Sequence, residues 1–112
     1  MARVPITEAL AIETTTRSWV CRACGHTLIA ADRNYKEGCL VWMRDPREVH
    51  RPLVDGAYTF APDPDWVRIL EFICPGCGHL VEVEYLPPGH PVTWDLQPDV
   101  DALVARYGGE TS

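Results

Sequence analysis

Apolar and charged residues alternate along residues 80–86, where Val81, Val83 and Tyr85 are separated by glutamates. A period of two predicts a β-strand with one buried face and one solvated face. The preceding apolar run, residues 66–73, is connected to this strand by a short turn that contains proline and glycine. Together the two segments predict an antiparallel β-hairpin.

A similar order of segments occurs earlier in the chain, so that residues 19–30 and 70–83 form an internal repeat. Each copy has a β-prone segment, then the sequence Cys-x-x-Cys-Gly-His, then a second apolar run. Two β-prone segments on either side of a short turn are typical of a hairpin, and the second copy shows this more clearly. The repeat therefore predicts two similar turns, each of which carries a pair of cysteines.

The pattern divides the chain into three parts. Residues 1–17 form an N-terminal arm or strand, with no evident hydrophobic partner within the chain. Residues 18–97 contain both repeats and form the main domain. An insert at residues 31–65 separates the repeats and includes a short apolar strand. Residues 98–112 form a C-terminal helix and tail.

Two helices are predicted from their capping residues. Asp45 suits an N-cap, Pro46 suits the first helical position and Glu48 completes a capping box, so a short helix begins in the insert. Near the C-terminus, apolar residues at i, i+3, i+4 and i+7 predict a helix from Asp99 to Tyr107, followed by two glycines.

Composition and charge limit the classes of protein to which the chain can belong. Its 112 residues and 46% hydrophobic content suit one small globular domain. No apolar run approaches the ~18 residues of a membrane span, and the first residues lack the apolar segment of a secretory signal. We therefore expect a cytoplasmic protein with no membrane partner. The net charge of −6 argues against a nucleic-acid partner.

Four of the five cysteines form two Cys-x-x-Cys pairs, and these are the candidate metal ligands: Cys21, Cys24, Cys74 and Cys77. Two cysteines three positions apart on a tight turn can both bind one ion, at Zn–S distances of about 2.3 Å. Four thiolates form the closed tetrahedral shell that structural zinc uses. The sequence thus predicts one structural Zn²⁺, and the long separation of the pairs fits an insert within a zinc ribbon. Iron in a rubredoxin-like site and a redox-active dithiol are the alternatives.

The remaining cysteine and the histidines are weaker candidates for chemistry. Cys39 lies in an apolar segment and is expected in the core. His26 and His79 follow the two pairs, and we expect them beside the metal and not as ligands. His50 and His90 have no evident partner for acid–base catalysis. We accordingly predict no catalytic residue and no cofactor-binding residue.

Arginines and tryptophans provide two further signals. Arg44, Arg47 and Arg51 fall at helical spacing and form either a solvated basic face or a surface that docks on an acidic partner. Four tryptophans are many for a chain of this length. Some are expected in the core, but tryptophan and arginine are also the residues that most often anchor protein interfaces.

Several of these segments, in this order, resemble a known family. They are Cys-x-x-Cys-Gly-His, Arg-Asp-Pro-Arg-Glu-Val-His-Arg at residues 44–51, Glu-Phe-Ile-Cys-Pro-Gly-Cys-Gly at 71–78 and Pro-Pro-Gly-His-Pro at 87–91. In this the chain is similar to the gamma subunit of acetone carboxylase and, more closely, to the zinc-binding small subunit of acetophenone carboxylase. The resemblance extends from about Cys21 to Asp101.

The resemblance implies a specific function. The chain would be the structural, zinc-binding small subunit of a multi-subunit, ATP-dependent, biotin-independent carboxylase that converts acetophenone or acetone and bicarbonate to a 3-oxo acid. ATP and Mg²⁺ or Mn²⁺ would bind only to the larger partner subunits. Because the C-terminal helix is too short to be stable alone and the arm 1–17 has no evident partner, we expect one or both of them to pack against these subunits. The expected fold is a small β-rich (α+β) zinc-ribbon-like domain with a short C-terminal helix. A nucleic-acid-binding zinc ribbon and a rubredoxin-like iron protein remain the alternatives.

Overall fold

Two antiparallel β-sheets make up most of the fold. The computed structural model describes residues 2–46 and 65–108. The first sheet has the strand order β1-β2-β3-β4 and the second the order β5-β6-β7. The elements are β1 (Arg3–Pro5), β2 (Leu10–Glu13), β3 (Ser18–Cys21), β4 (Thr27–Ala30), a 3-10 helix (Tyr35–Gly38), β5 (Leu40–Arg44), β6 (Arg68–Ile73), β7 (Leu80–Leu86) and α1 (Val100–Tyr107). The predicted fold class, a small β-rich domain with a short C-terminal helix, is confirmed.

The larger hydrophobic core lies against the first sheet. Leu10 and Ile12 of β2 and Trp19 of β3 are buried there with Tyr35 of the 3-10 helix. The rings of Trp19 and Tyr35 pack edge to face, with 5.5 Å between their centroids. The expectation that residues 1–17 lack a hydrophobic partner within the chain is therefore wrong. Apolar alternation in β2 is short, and only its pairing with β3 shows where these side chains lie.

The second sheet contains the predicted hairpin, formed by β6 and β7. Leu70, Phe72 and Leu86 form a small core on one of its faces. Glu84 is paired with Leu70 across the strands, so it lies on this same face. The prediction that the glutamates of β7 occupy a solvated face is thus wrong for Glu84, because a buried cation compensates its charge. Tyr85, expected on the buried face, is 47% exposed.

That cation is Lys36, which is buried between the two cores. Its Nζ lies 2.7 Å from Glu84 Oε1 and 3.4 Å from Asp95 Oδ1, and it donates a hydrogen bond to the Thr93 carbonyl at 3.0 Å. The ammonium also lies 5.6 Å from the centre of the Tyr35 ring and 5.4 Å from that of Phe72. One polar network therefore connects the 3-10 helix, β7 and the segment that leads to α1.

The C-terminal helix matches its prediction. Asp99 is the N-cap, and its side chain accepts a hydrogen bond from the Ala102 amide at 3.1 Å. Val100 and Leu103 pack against the edge of the larger core, which gives this short helix support within the chain. The helix predicted after Asp45 lies mostly outside the described residues, as do Arg47, His50 and Arg51.

Candidate metal centre

The structure brings together the four cysteines that the sequence singles out. Their sulfur atoms all lie within 4.8 Å of one another. Cys21 Sγ is 3.8 Å from Cys77 Sγ, and Cys24 Sγ is 3.7 Å from Cys74 Sγ. A tetrahedral ion with bonds of about 2.3 Å separates its sulfur ligands by about 3.8 Å. The cluster is therefore positioned and dimensioned to bind one metal ion.

The two turns that carry the cysteines have the same backbone structure. In the first, the Gly25 amide donates to the Cys21 carbonyl at 2.8 Å, and in the second the Gly78 amide donates to the Cys74 carbonyl at 2.9 Å. Both glycines have a φ near +80°, a conformation that other residues rarely adopt. The internal repeat in the sequence thus corresponds to two equivalent metal-binding turns, which we call the first and second knuckles (residues 21–26 and 74–79).

Backbone amides of the knuckles also point at the sulfurs. The His26 amide lies 3.4 Å from Cys24 Sγ, and the Gly76 amide lies 3.3 Å from Cys74 Sγ. Such N–H groups favour the charged thiolate, which is the form that binds a metal. Cys21 and Cys74 are fully buried, whereas Cys24 and Cys77 are exposed. The cluster therefore lies at the surface, with one side of each knuckle toward the solvent.

The close approach of the knuckles depends on a glycine. A Cβ atom at Gly76 would lie 2.8 Å from the Cβ of His26, which is closer than real side chains approach. His26 therefore packs over the opposite knuckle. Among the described residues, the group of possible metal ligands consists of the four cysteines and includes neither knuckle histidine. The position of His26 agrees with the expectation that this histidine lies beside the site, and the same expectation for His79 stays a prediction.

Arg3 is a neighbour of the site that the sequence analysis did not identify. Its Nη1 lies 3.1 Å from the position of a Cβ on Gly25, so its positive charge lies against the first knuckle. Four thiolates with one divalent ion have a net charge of −2, which a nearby guanidinium stabilises. No local motif marks Arg3, because it reaches the knuckle only through the pairing of β1 with β2.

The other candidate residues lie outside the cluster. Cys39 packs against the smaller core, as predicted, and burial raises the pKa of its thiol to about 11. It is therefore a neutral core residue at physiological pH. His79 and His90 are exposed, and His90 Nδ1 lies 2.7 Å from the carbonyl of the adjacent Pro91. His50 lies outside the described residues.

Comparisons with known proteins agree with the resemblance of the motifs. The model of the family "Acetone carboxylase gamma subunit" matches residues 2–108. A protein of Aromatoleum aromaticum named acetophenone carboxylase beta subunit is 53% identical over 104 residues, which cover 93% of this chain and 81% of that protein. A protein of Xanthobacter autotrophicus named acetone carboxylase gamma subunit is 32% identical over 95 residues, which cover 84% of this chain and 55% of that protein. The described residues include no helix with the length and apolar character of a membrane span.

Proposed function

The chain belongs to the acetone carboxylase gamma subunit family, and from this premise we propose that it is the structural, zinc-binding small subunit of a ketone carboxylase. The enzyme is ATP-dependent and biotin-independent, and it carboxylates acetophenone or acetone with bicarbonate. ATP, Mg²⁺ or Mn²⁺ and the ketone bind to larger subunits, in the cytoplasm. The observation that carries the proposal is the family match at residues 2–108, which includes both knuckles.

The metal of the proposal is one Zn²⁺ bound by Cys21, Cys24, Cys74 and Cys77. Sulfur–sulfur distances of 3.7 and 3.8 Å support a single tetrahedral ion. Structural zinc contributes ~10–16 kcal/mol in zinc-finger peptides at neutral pH, which is large compared with what two small cores supply in a chain of this size. The zinc therefore holds the knuckles together and, through β3, β4, β6 and β7, joins the two sheets.

Three features support a non-catalytic role for the chain. A shell of four cysteines leaves no open position at which zinc could bind water or polarise a ketone. The single lysine, Lys36, is buried beside two carboxylates, so it is not available to bind phosphate. His90 has no carboxylate partner among its described hydrogen bonds, as an oriented general base would have. The subunit thus contributes to the enzyme through structure and assembly.

Metal analysis of the purified chain tests the zinc assignment. We expect one zinc per chain in the wild type and loss of that zinc in Cys74→Ser. Cys39→Ser is the matched control, because it removes a thiol outside the cluster, and it should retain the zinc. Iron with visible absorption would replace the assignment by a rubredoxin-like centre. Absence of metal from the wild type, or zinc retained in Cys74→Ser, contradicts the proposal.

Co-expression tests the subunit assignment. The tagged full chain is produced together with the larger carboxylase subunits of its source, and the purified material is assayed for ketone-dependent ATP hydrolysis. We expect the larger subunits to co-purify with the chain and the complex to be active, whereas the isolated chain hydrolyses no ATP in response to ketone. If the wild-type chain does not bind the larger subunits, the proposed function is wrong.

A further inference from the structure

The strand β5 exposes an unusual number of apolar side chains. It is one of the two edge strands of the second sheet in the described part of the chain. Its first four residues are consecutive, large and apolar, and each exposes more than half of its surface: Leu40 59%, Val41 54%, Trp42 54% and Met43 61%. We call these four residues the β5 edge.

Edge strands of soluble proteins usually carry features that prevent pairing with another chain. These are charged side chains, prolines or bulges, and the β5 edge contains neither a charged residue nor a proline. The first charged residue of the strand is Arg44. Its guanidinium stacks 4.4 Å from the centre of the Trp42 ring and lies 3.3 Å from Glu71, so it holds the indole in place at the sheet surface. A protein that retains such an edge normally covers it with another element.

The alternation along β5 indicates how it is covered. Leu40 and Trp42 lie on one face of the sheet, while Val41 and Met43 lie on the other, because successive side chains of a strand point in opposite directions. A helix that packed on one face would cover one pair and leave the other in water. A strand added beside β5 contacts both pairs and also satisfies the backbone groups of the edge.

The area and the charge favour a partner other than a second copy of the chain. The β5 edge exposes on the order of 400 Å² of side-chain surface. This assumes that each of its four side chains exposes the apolar area that corresponds to a typical transfer free energy. A stable interface needs about 800 Å² from each partner, so two β5 strands paired with each other provide about half of that. Such a pair would also bring together two chains with a net charge of −6 each. A larger protein can pair with β5 and contact the surrounding surface as well.

We propose that the β5 edge is the docking site for a larger carboxylase subunit, which adds a strand with apolar side chains beside β5. This inference rests on the proposed function, because the proposed function supplies the partner, a larger carboxylase subunit. Trp42, at the centre of the edge, is the anchor of the interface. Tryptophan is one of the residues that most often contribute a large share of the binding free energy. Burial in the complex removes the exposed apolar strand from water.

The test is co-purification of the tagged full chain with the larger subunits, comparing the wild type with Trp42→Glu. We expect the variant to bind at least about thirtyfold more weakly, the loss typical of an anchor residue. Trp94→Glu is the matched control, since Trp94 is 45% exposed and lies outside β5; it should bind like the wild type. Zinc content equal to that of the wild type shows that each variant is folded.

Hydrogen exchange distinguishes strand addition from other contacts. The amides of residues 40–44 that point away from β6 should exchange at least about tenfold more slowly in the complex than in the free chain, because the added strand accepts their hydrogen bonds. If Trp42→Glu binds like the wild type, or if residues 40–44 gain no protection, the inference is wrong while the proposed function stands. A stable dimer of the isolated chain that Trp42→Glu dissociates would assign the edge to a second copy and overturn the inference as well. Failure of the wild type to bind the larger subunits is a failure of the proposed function.

Discussion

Replacement of Lys36 by methionine tests the polar network between the two cores. The side chain of Lys36 is only 1% exposed and that of Glu84 is 12% exposed, and their charged atoms are 2.7 Å apart. Lys36→Met keeps most of the aliphatic chain and removes the ammonium. The carboxylate of Glu84 then remains buried, and its Oε1 keeps a hydrogen bond from the Thr93 hydroxyl. Its Oε2 has no hydrogen-bond donor among the described residues even in the wild type.

The expected cost follows from what remains unpaired. Removal of one member of a buried ion pair costs ~3–5 kcal/mol, because the other charge remains without compensation. Asp95 adds little to this, since 40% of its side chain is exposed and water screens its charge. The Thr93 carbonyl also retains a hydrogen bond from Asn34 at 3.2 Å. We therefore expect Lys36→Met to lower the free energy of unfolding by ~3–5 kcal/mol, mostly through Glu84.

The double variant Lys36→Met/Glu84→Leu separates the lost charge from lost packing. Because apolar residues of similar volume often replace a buried pair without loss, the double variant should be more stable than Lys36→Met alone. Arg33→Met is the matched control. It removes an exposed ion pair with Glu37 at 2.9 Å, and such pairs contribute ~0–1 kcal/mol.

Urea unfolding at a fixed excess of zinc gives the free energy of unfolding of the wild type and the three variants. The fixed excess makes metal binding contribute equally to each protein. Two results would refute the reasoning. One is a Lys36→Met variant within ~0.5 kcal/mol of the wild type, the range of ordinary surface substitutions. The other is a double variant that is no more stable than Lys36→Met, which would mean that the buried carboxylate does not carry the cost.

Three further predictions concern the site and its surroundings. Gly76→Ala should weaken zinc binding about tenfold in a chelator competition, because the new methyl group meets the side chain of His26, and an unchanged affinity would contradict this. The pKa of Glu84 is lowered, since hydrogen bonds from its partners outweigh the effect of burial; its stabilising contribution is thus present above the unfolded pKa and is lost as the pH falls through the folded one. The difference in the free energy of unfolding between the wild type and Glu84→Gln should therefore be largest near neutral pH. It should become small below about pH 4, as measured by urea titrations. His90→Ala should leave steady-state carboxylation by the assembled complex within about tenfold, and a loss of ~10²–10⁴ would indicate acid–base catalysis instead.

Local patterns in the sequence were sufficient for the metal-binding turns and several elements. Cys-x-x-Cys-Gly describes a complete turn within a few residues, and the positive φ of Gly25 and Gly78 is a local requirement. The hairpin of β6 and β7 and the helix capped by Asp99 also depend on neighbouring residues alone. For these parts the interactions that decide the conformation lie close together in the chain, so the sequence by itself determined them.

Contacts between distant residues decided the rest. Lys36 and Glu84 belong to different elements, and each alone has the pattern of a solvated charge until the 3-10 helix and β7 meet. Arg3 approaches the first knuckle only because β1 pairs with β2. The apolar run of β5 has the pattern of a buried strand, yet its place at the edge of the sheet leaves it exposed. Composition and periodicity show what a segment can bury, whereas the pairing of strands determines which neighbour, if any, is there to cover it.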